Sequence, residues 1–375
     1  MREPCPFTIQ PRFGFVPYKL IPLVLIFILL ACRFGTQQPR EPTATLPPQP
    51  TAPPQTAGAT TPTEPALQTA TPTASEQALE PLQYTSGINE YTIVVDNTPR
   101  QFLVYVPRGY NPVAPTPVVF MFHGSNQSGL VMYQNTAWAA KAEEENFIVV
   151  YPTSWKYFIV ESNRVEDKWN VVALSKFVKP GTELKDDVKF VRTIIDALTI
   201  TFNIDPKRLY ASGFSNGGAF VLSRLLIGMN DVFAAFTTSG SLLTGENLPE
   251  PMPTGITAPL YAVLGTNDEK IAEGRGYPTP FPILAEEIAQ HPLFHAAITN
   301  TTTILALDPS VYEVEYDRPH FTIMTFDKSL IGAENQFIFR MVNRMGHVYG
   351  NGENNNAGLN LSDVFWEFFM RYSKP

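Results

Sequence analysis

The sequence predicts an α/β fold in which a mostly parallel central sheet lies between helices on both faces. Two observations lead to this prediction. Apolar runs of five or six residues recur along the chain, as expected of strands that are buried on both faces. Between such runs, residues 187–202 carry apolar side chains every three to four positions, which is the period of a helix. Strands that alternate with helices indicate a parallel sheet covered on both faces.

The predicted elements begin with strands at 91–95 and 101–106, which should pair antiparallel through a turn at 96–99. Further strands are predicted at 117–122, 147–151, 208–212, 233–238, 260–264 and 337–342. Helices are predicted around 137–145, at 187–202 and at 363–372, the last with Ser362 as its N-cap. The stretch at 271–335 receives no predicted element.

The first 32 residues have the pattern of a secretory signal. Arg2, Arg12 and Lys19 precede an apolar stretch at 20–31, which is shorter than the roughly 20 residues that span a membrane. The stretch ends in Leu-Leu-Ala-Cys, which resembles a bacterial lipobox and makes Cys32 the predicted lipidation site. An uncleaved anchor with an incidental cysteine is the alternative. Both interpretations place the rest of the chain outside the cytoplasm on a membrane tether.

Composition divides the remaining chain into a linker at 33–83 and a folded domain at 84–375. The linker is rich in Pro, Thr, Ala and Gln, and it cannot bury enough apolar surface to offset its chain entropy. Both cysteines, Cys5 and Cys32, precede the domain, so it has no disulfide, cysteine metal site or cysteine nucleophile. The net charge of -8 and the absence of a basic stripe argue against a nucleic-acid partner.

The pentapeptide from Gly213 to Gly217 fits the pattern G-x-S-x-G, with Ser215 at its centre. It lies between a predicted strand and an apolar pattern of helical type. A sharp strand-to-helix turn at this place strains the serine backbone and lifts the hydroxyl out of the sheet. A glycine-rich turn with a buried serine would share the motif, but the setting favours Ser215 as a nucleophile.

A nucleophilic serine needs a histidine base, and the base needs a carboxylate that fixes its tautomer. His347 lies in a glycine-flanked loop between the last predicted strand and the last helix, so it is the predicted base. Asp268 follows the strand at 260–264 and is the predicted acid, with Glu269 as the competing carboxylate. The alternative for Asp268 is a purely structural role as the N-cap of the next helix.

The oxyanion of an acyl-transfer reaction needs N–H donors. The predicted donors are the backbone N–H of Asn216 and that of Ser125, in the loop after the strand at 117–122. In the same loop, His123 is predicted to hold the backbone rather than to act as a second base. Trp155 and Trp169 are candidates for lining the substrate site, with packing of their long segment as the alternative. No metal or other cofactor is expected.

These motifs together resemble the polyhydroxybutyrate-depolymerase-like esterases, a group that includes secreted feruloyl and acetyl xylan esterases. The resemblance rests on residues 122–125, 186–188, 205–218, 265–268 and 346–347, which stand in the family's order and rough spacing. It implies an α/β-hydrolase fold and a metal-free carboxylic ester hydrolase with Ser215, Asp268 and His347 as its triad. The stretch at 271–335 departs from the family because it has neither tryptophan nor cysteine, so substrate contacts from that region are not carried over.

The sequence therefore predicts an extracytoplasmic, membrane-tethered serine esterase that acts through an acyl-enzyme. Its expected partners are the membrane, through the N-terminal lipid, and an ester substrate, which could be polymeric or carbohydrate-linked. A peptidase on the same fold is one alternative, and a non-catalytic module that binds a surface polymer is the other.

Overall fold

The computed structural model describes residues 79–375. The predicted signal at 1–32, with Cys32, and most of the predicted linker lie outside the described residues. Residues 79–86 carry no regular secondary structure and lead into the first strand. No helix within 79–375 is both long enough and apolar enough to span a bilayer.

A sheet of ten strands, in the order β1-β2-β4-β3-β7-β8-β9-β12-β11-β10, forms the centre of the fold. The six strands from β4 to β12 pair in parallel, whereas the pairings toward both edges are antiparallel. A separate hairpin is formed by β5 and β6. The strands are β1 (Gly87–Val95), β2 (Thr98–Val106), β3 (Thr116–Phe122), β4 (Ile148–Pro152), β5 (Trp155–Ile159), β6 (Arg164–Lys168), β7 (Ile204–Phe214), β8 (Ala235–Ser239), β9 (Leu260–Gly265), β10 (Glu313–Asp317), β11 (Phe321–Phe326) and β12 (Phe337–Val342).

Helices occupy most of the connections between these strands. They are α1 (Gly129–Asn135), α2 (Trp138–Glu145), α3 (Leu174–Phe177), α4 (Asp187–Thr201), α5 (Asn216–Phe220), α6 (Leu226–Gly228), α7 (Glu269–Glu273), α8 (Ala285–Gln290), α9 (Pro292–Ile304) and α10 (Leu361–Phe369). A π-helical turn at Val221–Leu225 joins α5 to α6, and a 3₁₀ turn lies at Gly245–Asn247. The fold class predicted from the sequence is confirmed.

The sheet separates two hydrophobic cores, because alternate side chains of a strand point to opposite faces. In β3, Phe120 and Phe122 enter the core that contains α4, whereas Val119 and Met121 enter the core that contains α10. All four side chains are fully buried. Each contributes roughly 1.5–3 kcal/mol relative to an exposed position, which explains why the run at 117–122 is apolar without interruption.

The structure differs from the prediction in several places, among them α1, the β5–β6 hairpin and α3, which were not predicted. The N-cap of α10 is Asn360, whose Oδ1 accepts the N–H of Ser362 at 3.2 Å, so the prediction of Ser362 as the cap is wrong. The stretch at 271–335, which received no predicted element, holds most of α7 and all of α8, α9, β10 and β11. The strand β10 is exposed at all five positions, so its sequence lacks the alternation that reveals a half-buried strand.

Candidate active site

Ser215 lies in the turn between β7 and α5, with backbone angles of φ 52° and ψ −117°. This region of conformational space costs a non-glycine residue of order 1–3 kcal/mol. The turn is tight, since a Cβ on Gly213 would lie 2.4 Å from the carbonyl oxygen of Gly217, and a Cβ on Gly217 would lie 2.3 Å from that of Phe122. The N–H of Ser215 donates to the carbonyl of Ser239 at 2.9 Å and so attaches the turn to β8. This is the strained strand-to-helix turn that the motif predicts.

His347 bridges Ser215 and Asp268. Its Nε2 lies 2.8 Å from the Oγ of Ser215, and its Nδ1 lies 2.8 and 3.0 Å from the two carboxylate oxygens of Asp268. Because a carboxylate can only accept, Nδ1 carries the proton, and Nε2 is left to accept from the serine hydroxyl. The fold therefore brings three residues separated by 132 and 79 sequence positions into one hydrogen-bonded chain.

Asp268 is a buried carboxylate, with 1% of its side chain exposed, whereas the neighbouring Glu269 is exposed. Besides contacting His347, the Oδ1 of Asp268 accepts the N–H of Ile271 at 3.0 Å and caps α7. The same side chain therefore contacts the imidazole and caps α7, so the capping contact does not exclude the predicted role as acid. Of the two competing carboxylates, Asp268 is the one that contacts the imidazole.

The loop that carries His347 is fixed against the loop that carries Asp268. The N–H of Asn267 donates to the carbonyl of Met345 at 3.0 Å, and the N–H of Arg344 donates to the Oγ1 of Thr266 at 2.8 Å. The two loops approach so closely that a Cβ on Gly265 would lie 1.9 Å from the same Met345 carbonyl oxygen. They leave the neighbouring parallel strands β9 and β12, and this pairing sets their separation.

Tyr349 anchors the far side of the histidine loop. Its buried hydroxyl accepts the indole N–H of Trp138 at 2.8 Å and lies 3.3 Å from the Oγ of Ser212, on the strand that leads to Ser215. Burial raises the pKa of Tyr349, so the phenol stays neutral. The imidazole of His347 itself lies over the ring of Phe214, with 5.0 Å between the ring centroids. His347 is thus positioned by contacts of its loop with the Asp268 loop on one side and by buried aromatic groups on the other.

The loop after β3 lies against Ser215 on the opposite side. A Cβ on Gly124 would lie 3.2 Å from the Cβ of Ser215, and the N–H of Gly124 donates to the Oε1 of Gln127 at 2.9 Å. The next residue in this loop is Ser125, the predicted donor. Asn216 is the first residue of α5, so its backbone N–H has no carbonyl acceptor within the helix. The two predicted donors therefore belong to different segments: Asn216 follows Ser215 directly, and Ser125 follows Gly124, which lies against Ser215.

His123 holds the same loop from inside the protein. Its Nε2 accepts the N–H of Ser154 at 2.9 Å, so its Nδ1 carries the proton and donates to the carbonyl of Gly124 at 2.7 Å. Burial lowers the pKa of His123 to about 4, although the contact with Gly124 opposes part of this shift. The ring is neutral at pH 7 and acts as a brace, in agreement with its expected structural role.

Trp169 is fully buried, which corrects its predicted role in lining the substrate site. Its ring stacks on Phe220 with 5.0 Å between the centroids and meets Phe122 edge to face at 5.3 Å. Its indole N–H donates to the carbonyl of His123 at 2.9 Å. The side chain is therefore part of the core behind the loop after β3, the alternative that the sequence left open.

Trp155 is partly exposed and lies at the start of the β5–β6 hairpin. The guanidinium carbon of Arg100 and the ammonium of Lys185 lie 6.0 and 5.7 Å from the centre of its ring. It borders a cavity of about 310 Å³ that Ser154 and Asp167 also line. Ser215 and His347 are not among the residues that line this cavity, so a contact between Trp155 and substrate remains a prediction.

Sequence reasoning missed three residues that support the site, namely Trp138, Lys168 and Tyr349. Tyr349 lies two positions after His347, and this proximity was the one available signal. Lys168 donates to the Oγ of Ser125 at 2.9 Å across 43 sequence positions, and Trp138 reaches Tyr349 across 211. Contacts of such range leave no local pattern in a single sequence.

Comparison with known proteins gives several matches to proteins described as esterases or depolymerases. A family model described as phospholipase/carboxylesterase matches residues 111–277, a range that contains Ser215 and Asp268. The bifunctional acetylxylan esterase/xylanase of Neocallimastix patriciarum is 30% identical over 170 residues, which are 45% of this chain and 22% of that protein. Poly(3-hydroxyalkanoate) depolymerase C of Paucimonas lemoignei is 28% identical over 136 residues, which are 36% of this chain and 29% of that protein. The chain thus spans less than a third of the length of either relative.

Among solved structures, the acetyl xylan esterase from Aspergillus awamori aligns with a TM-score of 0.51 and 16% identity. The alignment covers 76% of this chain and 99% of that one, so the likeness concerns nearly the whole folded part. At this level of identity it shows a shared fold. The chain therefore has the α/β-hydrolase fold, and parts of its sequence are similar to an acetylxylan esterase and to a poly(3-hydroxyalkanoate) depolymerase.

Proposed function

We propose that the protein is a serine esterase that hydrolyses carboxylic esters through an acyl-enzyme intermediate. In this proposal Ser215 is the nucleophile, His347 is the general base and acid, and Asp268 orients the imidazole. The backbone N–H groups of Asn216 and Ser125 stabilise the oxyanion.

The observation that carries the proposal is the hydrogen-bonded chain from the Oγ of Ser215 through both nitrogens of His347 to Asp268. A hydroxyl whose proton already points at an unprotonated imidazole nitrogen needs no rearrangement before it attacks a carbonyl. The strained turn adds support, because it presents the hydroxyl above the carboxyl end of the sheet. The relationship to esterases agrees with this chemistry.

In the acylation step, the Oγ of Ser215 forms a bond to the ester carbonyl carbon while Nε2 of His347 takes the hydroxyl proton. The carbonyl oxygen becomes an oxyanion and accepts hydrogen bonds from the two N–H groups. Asp268 stabilises the imidazolium without taking its proton. When the tetrahedral intermediate collapses, the bond to the alcohol oxygen breaks and His347 protonates the departing alcohol.

In the deacylation step, the same imidazole takes a proton from water, and the resulting hydroxide attacks the acyl carbonyl. A second tetrahedral intermediate forms at the same oxyanion site. Its collapse releases the carboxylic acid and returns the proton to Ser215. Nε2 of His347 therefore accepts a proton and later returns one in each step. This requires the imidazole tautomer that Asp268 fixes.

The proposed substrate class is a carboxylic ester. Carbohydrate-linked esters and polymeric esters are the candidates within this class. One relative is an acetylxylan esterase and another a poly(3-hydroxyalkanoate) depolymerase. Turnover of acetylated or feruloylated sugars, hydroxyalkanoate oligomers and simple aryl esters under identical conditions would rank these classes.

The proposal includes a location outside the cytoplasm, with the chain exported through residues 1–32 and lipidated at Cys32. It rests on the basic and apolar zones of the sequence and on the Leu-Leu-Ala-Cys ending. Expression of Cys32→Ser in a bacterium with lipoprotein processing should move the protein from the membrane fraction to the soluble fraction. An unchanged membrane fraction would point to an uncleaved anchor.

The test of the chemistry uses a fluorophosphonate probe, which reacts covalently with activated serines. The full chain should be labelled and should hydrolyse p-nitrophenyl acetate, and Ser215→Ala should lose both properties. Ser310→Ala, which changes an exposed serine, is the control and should keep both. Labelling that persists in Ser215→Ala would refute the assignment of the nucleophile.

The same assay separates the alternatives. A peptidase on this fold would cleave peptide amides, whereas the proposed esterase should leave them largely intact. A non-catalytic module would bind a surface polymer equally well with and without Ser215, and it would hydrolyse none of the esters.

A further inference from the structure

Residues 167–169, at the end of β6 and directly after it, form a segment that we name the strap. The first two of them contact the loop that carries the proposed oxyanion donor Ser125. The carbonyl of Asp167 accepts the N–H of Asn126 at 3.0 Å, and the ammonium of Lys168 donates to the Oγ of Ser125 at 2.9 Å. Two consecutive strap residues thus bond to two consecutive loop residues.

The third strap residue, Trp169, contacts both sides of the proposed oxyanion site. Its indole N–H donates to the carbonyl of His123, in the loop after β3, at 2.9 Å. Its backbone N–H donates to the Oδ1 of Asn216, the residue after the nucleophile, at 2.8 Å. Because the Trp169 ring is fully buried, one immobile residue joins the two segments that supply the N–H groups.

We propose that the strap sets the separation of the two oxyanion donors, and that Lys168, acting through the hydroxyl of Ser125, is a positioning residue for ester hydrolysis. The inference rests on the proposed function, because it concerns the oxyanion site of that reaction. It adds a role for a side chain that touches neither the nucleophile nor the base.

Oxyanion stabilisation depends strongly on distance, since a donor is effective within roughly 2.7–3.1 Å of the developing charge. The loop after β3 lies outside any helix or strand at Gly124 and Asn126, and Asn126 has a positive φ of 58°. Its backbone is therefore held by individual contacts rather than by a ladder. The strap makes three hydrogen bonds to this loop. It lies at the end of the β5–β6 hairpin, whose two strands pair at five positions.

The charge of Lys168 is balanced within the hairpin. This balance favours a role in positioning Ser125 over a role in binding an anionic substrate. Its ammonium lies 3.2 Å from the Oε2 of Glu166. Burial alone would raise the pKa of Glu166, but hydrogen bonds from Ser162 and Arg164, together with Lys168, lower it to about 2. Glu166 is therefore ionised at pH 7, and Lys168 is matched by a permanent counter-charge. A positioning role requires its hydrogen bond to Ser125 rather than a free cation.

The experiment compares Lys168→Met with Lys156→Met in the full chain. Both substitutions remove a lysine that pairs with an acidic residue of β6, but Lys156 pairs with Asp167 and is 69% exposed. We expect Lys168→Met to lower kcat on p-nitrophenyl acetate about tenfold at unchanged KM. Affinity for a phenylboronic acid, which forms a tetrahedral adduct with an active serine, should fall by the same factor. Lys156→Met should stay within about twofold of the parent on both measurements.

Two further variants keep the test decisive if Lys168→Met folds poorly. Ser125→Ala removes the hydroxyl but keeps the backbone N–H, so it should reproduce the loss in kcat, and the double variant should lose no more than either single one. Lys168→Arg keeps a donor and should recover most of the activity. The pH dependence of kcat/KM should be the same in all of them, because His347 is not altered.

Several results would overturn the proposal: parental kcat in both Lys168→Met and Ser125→Ala, additive losses in the double variant, or a change confined to KM. A rise in KM that occurs with an anionic ester such as a succinate half-ester, but not with the acetate, would assign Lys168 to substrate recognition instead. Failure of the proposed function is distinguishable, because hydrolysis would then either be absent from the parent chain or persist in Ser215→Ala, whatever happens at Lys168.

Discussion

The two sides of Ser215 are built from different kinds of groups. On one side, the proposed base and acid are the side chains of His347 and Asp268. On the other side, the proposed oxyanion donors are backbone N–H groups in the loop after β3 and at the start of α5. Each side is nevertheless held by the indole N–H of a buried tryptophan: Trp138 for the histidine loop and Trp169 for the loop after β3.

This difference determines which functional groups a substitution can remove. A side chain can be removed, so the base side can be disabled by a single isosteric change. A backbone N–H is retained in every substitution except one to proline. Substitution of a supporting side chain can therefore shift the oxyanion donors, but it cannot remove them. The base side should therefore show large losses at a few residues, and the oxyanion side smaller losses spread over several.

The largest expected effect comes from Asp268→Asn. The asparagine oxygen can still accept the N–H of Ile271 and cap α7, so the fold should persist. Its amide cannot fix the imidazole tautomer or balance the imidazolium, and we expect kcat to fall by about 10⁴-fold. The measurement is steady-state hydrolysis of an aryl ester.

The matched control is Glu269→Gln, which removes the neighbouring, exposed carboxylate. It should keep kcat within about twofold, since screening by water weakens an exposed charge. If the two variants lost activity equally, the acid would not be Asp268 alone.

A smaller effect should come from Tyr349→Phe, compared with Trp169→Phe. Each change keeps an aromatic ring. Tyr349→Phe removes the hydroxyl that accepts from Trp138 and lies 3.3 Å from the Oγ of Ser212, and Trp169→Phe removes the N–H that donates to the carbonyl of His123. Each change should lower the free energy of unfolding by about 1–3 kcal/mol. Tyr349→Phe loosens the loop of the base and should therefore change the pH dependence of kcat/KM. Trp169→Phe should lower kcat without changing that dependence. Identical pH profiles in both variants would remove the distinction between the two sides.

The smallest effect concerns His123, which supports the oxyanion side. Burial lowers its pKa from the ordinary value of 6.5 to about 4, so the unfolded chain takes up a proton that the folded one refuses between these two pH values. Its contribution to stability is thus present above pH 6.5 and is lost as pH falls toward 4. Between pH 7 and pH 5 the free energy of unfolding should drop by about 2 kcal/mol through this residue.

Urea unfolding at pH 7 and pH 5 measures the His123 effect. In His123→Gln, about 2 kcal/mol of the decrease between the two pH values should disappear. Equal pH dependence in His123→Gln and the parent would mean that His123 is not the group responsible.

Much of the fold could be predicted because the central strands are buried on both faces. Continuous apolar runs such as 117–122 and 337–342 leave few alternatives to a strand in a parallel sheet. The stretch at 271–335 could not be assigned in this way. Its strand β10 is exposed along its length at the sheet edge, where packing imposes no pattern on the sequence.

The candidate site divides in the same manner. Ser215, Asp268 and His347 stand in short motifs at the ends of strands, and these positions can be identified without knowing any contact. Trp169 could not be assigned, because an aromatic residue in a long connection suits a core as well as a substrate site. Lys168 and Trp138 act through partners 43 and 211 positions away, which a single sequence does not reveal.

The neighbouring strands β9 and β12 have an evolutionary consequence. They pair in register from Leu260 with Phe337 to Gly265 with Val342, so the proposed acid and base leave the sheet side by side although 79 positions separate them. The intervening stretch at 271–335 lies between these two paired strands in the sequence. Its exposed parts, such as the edge strand β10, can therefore change without moving the proposed acid and base.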